Sequence, residues 1–203
     1  VAGKPARVAL PLLGGFQASN ALCALALALA SGDDAEAATA ELKKLQGVPG
    51  RVQLAGRHPA GAPVYVDYAH TPAALACVLK ALRPHAQGRL HLVFGCGGDR
   101  DSGKRPEMGA IAGKLADVVI VTDDNPRTED AVDIRAQILA AVPAAADIGD
   151  RAQAIAEAVN GLGPGDLLVV AGKGHEQGQI IGEETRPFDD AEAVGVALKE
   201  IGQ

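Results

Sequence analysis

The sequence has 203 residues, which is enough for one full domain and part of a second. Its 19 basic and 25 acidic residues give a formal net charge of −6, so it lacks the basic stripe that nucleic acid or an anionic membrane surface would attract. The 48% hydrophobic content excludes wholesale disorder, and the 2% aromatic content excludes base-stacking platforms. We therefore expect a folded protein with a core of Ala, Val, Leu and Ile that binds no nucleic acid.

The cysteines and the apolar runs indicate where the protein works. Cys23, Cys77 and Cys96 are widely spaced and form no C-x-x-C motif, which is typical of reduced thiols in the cytoplasm rather than of disulfides or a zinc site. The longest apolar run, residues 21–30, is about half of the ~20 residues that a membrane span needs, so no membrane insertion is expected. The sequence begins without Met and close to a strand-like run, which predicts a fragment of a longer protein.

The first elements along the chain form a short N-terminal part. Three elements are predicted there: a strand at 7–13, a helix at 18–30, and a second helix that starts at the acidic cap 33–34 and ends near 46–47. The segment 47–50, Gly-Val-Pro-Gly, combines two glycines and a proline where the pattern changes. We therefore place a domain boundary there and expect domains over 1–47 and 48–203.

After this boundary, strands and helices alternate. The predicted strands are 63–67, 90–94, 118–122, a weak one around 148, 167–171 and a late hairpin strand at 179–182. The predicted helices are 72–82, one that follows Pro106 and ends at 115, 130–141, 152–160 and 191–201. Continuous apolar strands suit a parallel sheet that is covered on both faces, and the alternation favours right-handed crossovers. The sequence therefore predicts a doubly wound α/β domain with a mostly parallel sheet.

Polar clusters follow four of the predicted strands. They occupy residues 67–70, 95–105, 123–129 and 172–176. Since ligands of open α/β sheets bind beyond the carboxyl ends of the strands, we expect the functional site at this edge of the sheet.

The cluster after the predicted strand 90–94 nearly matches a phosphate-binding loop. Residues 98–105 have the Walker A spacing, but Arg105 replaces the Ser or Thr whose hydroxyl would hold magnesium. Asp99 and Asp101 would also face the phosphates, and Arg100 stands where a G-x-G-x-x-G motif needs its third glycine. We therefore reject a nucleotide-hydrolysing P-loop here and expect a loop that binds charged groups.

The remaining clusters predict a pocket for a zwitterion. Arg100 and Arg127 can hold carboxylates, and Asn125 and Glu176 can hold an ammonium group, while Pro126 fixes the backbone between them. Two arginines indicate a ligand with more than one carboxylate. The residues alone therefore predict a small amino-acid-like ligand and leave the reaction open.

A set of motifs appears in a specific order: Gly50-Arg51, residues 66–72 (VDYAHTP), 94–101 (FGCGGDRD), 124–129 (DNPRTE) and 171–176 (AGKGHE). In this order the sequence resembles the Mur ligase family, and within it the members that add diaminopimelate. Residues 1–47 resemble the end of the family's central ATP-binding domain, and 48–203 resemble its Rossmann-like C-terminal domain.

The resemblance implies an ATP-dependent amide ligase of peptidoglycan synthesis. In the diaminopimelate-adding members, ATP phosphorylates the D-glutamate carboxylate of UDP-N-acetylmuramoyl-L-alanyl-D-glutamate, and the amine of meso-diaminopimelate then attacks the acyl phosphate. The family's P-loop and its Mg²⁺ ligands would precede residue 1, in N-terminal domains of the same chain, so the resemblance implies that residues 1–203 are catalytically incomplete.

The resemblance also implies roles for individual residues. Those that would bind meso-diaminopimelate are Arg100, Asp124, Asn125, Pro126, Arg127, Gly172 and Glu176. Those that would bind ATP are Asn20 at the adenine, Arg51 at a phosphate, Asp67 at the ribose, and Tyr68 and His70 along the same cleft. Lys104 and Lys173 are further groups that could support negative charge. No residue of the chain is expected to act as a nucleophile.

Three alternatives stay open at this point. A lysine-adding tripeptide synthetase would share most of the motifs, although such members usually differ at the Asn-Pro-Arg motif. A folylpolyglutamate-synthase-like ligase would share the architecture without that motif. A stand-alone amino-acid-binding module would share the pocket but not the reaction.

Overall fold

The computed structural model describes residues 5–202, which divide into two compact units. The first unit ends at Val48 and the second begins at Pro49, inside the segment 47–50. The domain ranges expected from the sequence extend over residues 1–4 and 203, which lie outside the described residues.

The first unit is helical. Helix α1 spans Gly15–Ala30, helix α2 spans Ala35–Glu41, and a 3₁₀ turn follows at Leu42–Lys44. The Asp34 carboxylate accepts hydrogen bonds from two backbone N–H groups in the first turn of α2, which satisfies donors that a helix start leaves unpaired. Its small buried core consists of Ala21, Leu25 and Leu42.

The strand predicted at 7–13 is wrong. These residues form no regular element, and the described part of the first unit contains no other strand. A strand needs a neighbour that completes its backbone hydrogen bonds, so an apolar run without a partner cannot form one. Val8 and Leu10 pack instead against the core of the unit, which explains why this segment is apolar.

The second unit contains a six-stranded sheet. Its strands are β1 Gln53–Arg57, β2 Pro63–Asp67, β3 Leu90–Phe94, β4 Val118–Val121, β5 Ala146–Asp147 and β6 Leu167–Ala171, in the spatial order β1-β2-β6-β3-β4-β5. All neighbours are parallel except β1, which pairs antiparallel with β2. A separate hairpin is formed by β7 Gly178–Ile181 and β8 Glu184–Pro187. The predicted α/β class with a mostly parallel sheet is confirmed.

Five helices connect and cover the sheet. They are α3 Pro72–Leu82, α4 Lys104–Leu115, α5 Ala131–Leu139, α6 Arg151–Asn160 and α7 Asp190–Ile201. Helix α4 begins two residues before Pro106, where the sequence predicted a loop. Proline fits there because the first turn of a helix has no acceptor for its backbone N–H groups. None of the described helices is long and apolar enough to cross a membrane.

The connections place a crevice at the carboxyl edge of the sheet. The chain moves in one direction from β2 through β3 and β4 to β5, and then returns to β6 between β2 and β3. Right-handed crossovers therefore put α3, α4 and α5 on one face and α6 on the other, where α7 packs beside it. Since the segments that follow β3 and β6 leave toward opposite faces, the sheet has its topological switch point between these two neighbouring strands.

Candidate functional site

A cavity of about 490 Å³ lies at this switch point. Its walls come from the four loops that follow β2, β3, β4 and β6, as the positions of the polar clusters predicted. The predicted site residues that line it are Tyr68, His70, Arg100, Asp124, Asn125, Arg127, Gly172 and Glu176. Pro126, Arg51 and Asp67 belong to the same unit but are not part of the cavity lining.

The cavity is lined by equal numbers of acidic and basic side chains. Three side chains are cationic and three are anionic: Arg100, Lys104 and Arg127, and Asp101, Asp124 and Glu176. A cavity with this balance suits a ligand that carries both signs of charge, because each ligand group can find an oppositely charged partner.

Asn125 is a junction of hydrogen bonds in the wall. Its Oδ1 accepts from Lys173 Nζ at 3.0 Å and from Ile180 N at 2.9 Å, and its Nδ2 donates to Glu176 Oε2 at 3.0 Å. The amide oxygen has therefore used both of its acceptor positions within the protein. The sequence predicted that Asn125 would accept from a ligand ammonium; in this arrangement Glu176 is the group that offers a free acceptor oxygen.

Arg127 is held by its backbone and by one of its guanidinium nitrogens. Its φ of 52° is unusual for a side-chain-bearing residue, and the backbone is fixed by hydrogen bonds with Ile180 and Gly182 of the hairpin. Nη1 donates to the carbonyl oxygens of Gly98 (2.8 Å) and Asn125 (3.3 Å). Among residues 5–202, Nη2 and Nε of Arg127 have no hydrogen-bond acceptor, so this edge of the guanidinium can receive a carboxylate.

The loop 98–105 is fastened by its own charges, which the sequence assigned to ligand binding. The Arg105 side chain is buried and donates to Glu129 Oε1 at 2.9 Å and to Gln137 Oε1 at 3.1 Å. Asp99 accepts from the hydroxyl of Thr128 at 2.7 Å. Arg105 and Asp99 are therefore structural, which agrees with the rejection of this loop as a P-loop.

Arg100 is the charge of this loop that remains available. Its side chain is exposed, lines the cavity and makes one hydrogen bond, from Nη1 to its neighbour's carbonyl at Asp99. The loop approaches the next one closely, since a Cβ on Gly98 would clash with the carbonyl oxygen of Pro126. Pro126 therefore shapes the wall through its backbone.

Asp124, which follows β4, and Gly172, which follows β6, approach each other at the floor of the cavity. Gly172 has a φ of 117°, and a Cβ there would lie 2.9 Å from Asp124 Oδ2, so a larger residue would be strained and crowded. Asp124 Oδ1 accepts from Asn125 N at 2.7 Å, and Gln179 Nε2 donates to the Asp124 carbonyl at 2.8 Å. Gln179 was missed by the sequence analysis, because nothing in a hairpin sequence reveals which distant carbonyl it supports.

The residues assigned to ATP in the second unit cluster around Tyr68. Arg51 Cζ lies 4.5 Å from the centre of the Tyr68 ring, in a cation–π contact, and the ring of His70 meets Tyr68 edge-on at 4.5 Å between centroids. Asp67 is buried, and its two oxygens accept from Val52 N and Ala69 N at 2.8 Å each. Burial raises the pKa of Asp67, although these two backbone hydrogen bonds oppose the shift.

Asn20 lies in α1 of the first unit. It is exposed, and its Nδ2 donates to Gln17 Oε1 at 3.1 Å. The structure therefore shows a local side-chain contact for Asn20 and no group that would identify adenine.

Two further cavity residues, Lys104 and Cys96, were not assigned to either substrate by the sequence analysis. Lys104 lines the cavity and its Nζ donates to the His70 carbonyl at 2.9 Å, which ties the loops after β3 and β2 together. Cys96 also lines it, but burial raises the pKa of its thiol to about 12, so it is a poor nucleophile. Within residues 5–202 there is no group of three or more His, Cys, Asp or Glu side chains that could hold a metal ion.

The fold and the cavity define an α/β ligand-binding domain of the doubly wound class, with a charge-balanced site at the carboxyl edge of its sheet. Residues 50–174 match the family described as "Mur ligase, glutamate ligase domain". This match covers more than half of the sequence, and the chain therefore belongs to the Mur ligase family.

Curated relatives are similar along nearly all of the chain. It is 61% identical over 191 residues to the UDP-N-acetylmuramoyl-L-alanyl-D-glutamate–2,6-diaminopimelate ligase of Mesorhizobium japonicum, a match that covers 94% of this chain and 40% of that protein. The protein of the same name from Caulobacter vibrioides is 57% identical over 192 residues, with 95% and 40% coverage. The chain thus spans about 40% of the length of these relatives.

Two solved structures are similar along nearly all of the chain. A structure of a UDP-N-acetylmuramoyl-L-alanyl-D-glutamate–2,6-diaminopimelate ligase matches with a TM-score of 0.76 and 42% identity, covering 97% of this chain and 41% of that one. A folylpolyglutamate synthase from Mycobacterium tuberculosis, complexed with ADP and AMPPCP, matches with a TM-score of 0.66 and 23% identity, covering 96% and 42%. The second similarity shows a shared fold only.

Proposed function

We propose that this chain provides the amino-acid site of an ATP-dependent ligase that joins meso-diaminopimelate to UDP-N-acetylmuramoyl-L-alanyl-D-glutamate. The observation that carries the proposal is the charge-balanced cavity at the switch point. Arg127 and Arg100 offer guanidinium nitrogens to carboxylates there, and Glu176 offers a carboxylate oxygen to an ammonium group. Relatives that are named for this reaction and are 61% and 57% identical along the chain support it.

The cavity suits this substrate because meso-diaminopimelate carries two carboxylates and two ammonium groups. Arg127 would bind the carboxylate that lysine lacks, in the two-pronged geometry that a guanidinium offers. Arg100 would bind a second carboxylate, and Glu176 Oε1 would accept from an ammonium. Asp124, Asn125, Pro126 and Gly172 would act mainly by holding the wall in place.

The chemistry proposed for these residues is orientation. Glu176 would hold the ammonium group within reach of the acyl phosphate. Once that group has lost a proton, its nitrogen attacks the acyl carbon, the carbon–oxygen bond to phosphate breaks, and phosphate leaves. No protein nucleophile is needed, and the gain comes from holding two reactants in place. Arg51, Tyr68 and His70 are the residues of the second unit that we assign to ATP. Asp67 holds together the two segments that carry them, because it accepts from Val52 N beside Arg51 and from Ala69 N between Tyr68 and His70. The assignment of Asn20 to adenine, and that of the first unit to the end of the central ATP-binding domain, depend on the family resemblance. Since the substrates are ATP and a nucleotide precursor, we infer a cytoplasmic protein.

A lysine-adding synthetase is the second candidate, and a direct competition separates the two. The protein expressed from its complete reading frame is given ATP, Mg²⁺, the UDP precursor and equal amounts of meso-diaminopimelate and L-lysine, and the products are counted by mass spectrometry. We expect the diaminopimelate adduct to dominate, together with release of ADP and phosphate.

Each other outcome has a definite meaning. Preferential incorporation of lysine would establish the lysine-adding alternative. Binding of meso-diaminopimelate without any adduct would favour a stand-alone binding module.

Arg57, an exposed residue of β1 away from the cavity lining, provides the control substitution Arg57→Lys for every arginine variant at the site.

A further inference from the structure

Lys173 is a fully buried lysine immediately behind the cavity. It follows Gly172 in the loop after β6, its side chain has no exposure to solvent, and it is not part of the cavity lining. Its Nζ donates to Asn125 Oδ1 at 3.0 Å and lies 3.3 Å from Glu176 Oε2. A buried ammonium is costly unless it is paired, so these two partners are what makes Lys173 tolerable at this position.

The contacts of Lys173 fix which oxygen of Glu176 faces the cavity. Oε2 accepts from both Lys173 Nζ and Asn125 Nδ2, and both donors lie in the protein wall. The Glu176 side chain is 36% exposed and lines the cavity. Since Oε2 is engaged by the wall, Oε1 is the oxygen left to a ligand.

The same contacts fix the orientation of the Asn125 amide. Lys173 Nζ and Ile180 N both donate to Oδ1, so a flipped amide would turn its NH₂ group toward two donors. Asn125 therefore keeps its Nδ2 toward Glu176. Lys173 thus orients both neighbours at once, through groups that are 48 and 3 residues away along the chain.

We propose that Lys173 is a positioning residue that acts on the amino-acid substrate through Glu176, without contacting the substrate. Lys173 holds the Glu176 carboxylate so that Glu176 Oε1 accepts from the substrate's ammonium group. This inference rests on the proposed function, because it assigns Lys173 to the same site. The sequence predicted that Lys173 could support negative charge, and the negative charge beside it is that of Glu176.

A double-mutant cycle tests the inference. The complete protein is prepared unmodified and as Lys173→Met, Glu176→Gln and the double variant, with Lys80→Met on the exposed side of α3 as the matched control. For each, KM for meso-diaminopimelate, KM for ATP, kcat and the thermal midpoint are measured. Loss of one charge-assisted hydrogen bond predicts that Lys173→Met raises KM for meso-diaminopimelate about tenfold or more. KM for ATP should stay within about twofold of the unmodified value, because only the amino-acid site is disturbed.

The coupling between the two residues gives the decisive readout. In the Glu176→Gln background, adding Lys173→Met should change KM for meso-diaminopimelate by less than about twofold, because the carboxylate that Lys173 orients is already gone. The thermal midpoint should fall in Glu176→Gln, which leaves a buried ammonium without its carboxylate, and recover in the double variant. If Lys173→Met alone does not fold, this comparison between Glu176→Gln and the double variant still decides.

Other results would overturn the inference. A merely structural lysine would raise both KM values together and add its effect to that of Glu176→Gln. Unchanged KM for meso-diaminopimelate in Lys173→Met, with normal turnover of the unmodified protein, would refute the inference alone. Absence of turnover with meso-diaminopimelate in the unmodified protein would instead refute the proposed function, and the substrate role of Lys173 with it.

Discussion

The two edges of the sheet both carry clusters of charged side chains, but they use them differently. At the amino edge, Asp166 precedes β6 and accepts hydrogen bonds from the backbone N–H groups of Arg89 (2.7 Å) and Gly163 (3.0 Å). It also accepts from Arg89 Nη2 at 2.9 Å and from His91 Nε2 at 3.1 Å. Both oxygens of Asp166 are engaged within the protein, so this cluster links the start of β3 to the start of β6.

At the carboxyl edge, three charged groups that line the cavity are only partly satisfied. Arg127 uses one guanidinium nitrogen, Glu176 uses one oxygen, and Arg100 makes a single hydrogen bond to a neighbouring carbonyl. The unpaired donors and acceptors of these three residues are available to the cavity, whereas both oxygens of Asp166 are paired within the protein. A charge cluster is therefore best identified as a site by what its members leave unpaired, and the number of charges alone does not distinguish the two edges.

The pKa values of two buried aspartates, Asp166 at the amino edge and Asp67 at the carboxyl edge, are shifted in opposite directions. Burial would raise the pKa of Asp166, but the backbone hydrogen bonds from Gly163 and Arg89 and the side chains of Arg89 and His91 outweigh burial and hold this pKa well below its usual range. At the carboxyl edge, burial dominates at Asp67 and raises its pKa. The surroundings of Asp166 therefore favour its charged form, whereas those of Asp67 disfavour it.

The largest effect is expected from Asp166→Ala at the amino edge. The substitution leaves two backbone N–H groups without an acceptor, each costing about 1–3 kcal/mol, so the free energy of unfolding should fall by about 2–6 kcal/mol. Urea unfolding measures this loss. Asp101→Ala, which removes an exposed carboxylate that accepts from Gly103 N at the other edge, should cost less than about 1 kcal/mol. Equal losses in the two variants would remove the distinction between a closed cluster and an open site.

The second largest effect is expected from Arg127→Lys at the carboxyl edge. An ammonium cannot reproduce the two-pronged contact of a guanidinium, and one lost charge-assisted hydrogen bond of about 1.5–3 kcal/mol predicts a roughly ten- to hundredfold lower kcat/KM for meso-diaminopimelate. Steady-state kinetics of the complete protein measure it, with Arg57→Lys as the matched control. Unaltered KM and kcat for meso-diaminopimelate would remove Arg127 from the proposed site.

A smaller effect is expected in the acid limb of stability. Because the pKa of Asp166 is lower in the folded than in the unfolded protein, the unfolded state binds more protons, and stability decreases as pH falls below the usual aspartate value of about 3.9. Urea midpoints measured from about pH 6 down to about pH 2.5 should therefore fall in the unmodified protein, and fall less steeply in Asp166→Asn. A parallel decline in the two proteins would show that Asp166 does not set this limb.

The sequence predicted the central strands best, and the reason is physical. β2, β3 and β6 lie at the predicted boundaries, because a strand covered on both faces must be a continuous apolar run. β1, with the sequence Gln-Leu-Ala-Gly-Arg, was missed, since an edge strand with a glycine carries no such signal. The run at 7–13 shows the opposite error, because apolar composition indicates burial but does not supply a pairing partner.

The candidate site was predicted at the level of loops and not at the level of hydrogen bonds. Four polar clusters after strands placed the cavity, because parallel strands bring their carboxyl ends to one edge. The sequence could not show that Asn125 Oδ1 is already occupied, or that Arg105 is buried against Glu129 and Gln137. Such partners are far apart along the chain, and only the folded sheet decides which of them meet.

The smallest effect is expected at Lys104, in the loop whose spacing imitates a phosphate-binding motif. A P-loop lysine must be free to reach phosphates, whereas Lys104 Nζ donates to the His70 carbonyl at 2.9 Å. The next residue, Arg105, supplies no hydroxyl for magnesium, and its guanidinium is committed to Glu129. Residues 1–203 should therefore show no measurable ATP hydrolysis, and Lys104→Ala should leave that unchanged while lowering stability by less than about 1 kcal/mol, the loss of one exposed hydrogen bond. Phosphate release by this chain that Lys104→Ala abolishes would make the loop a nucleotide site, and the charges at the carboxyl edge would then serve phosphate as well as an amino acid.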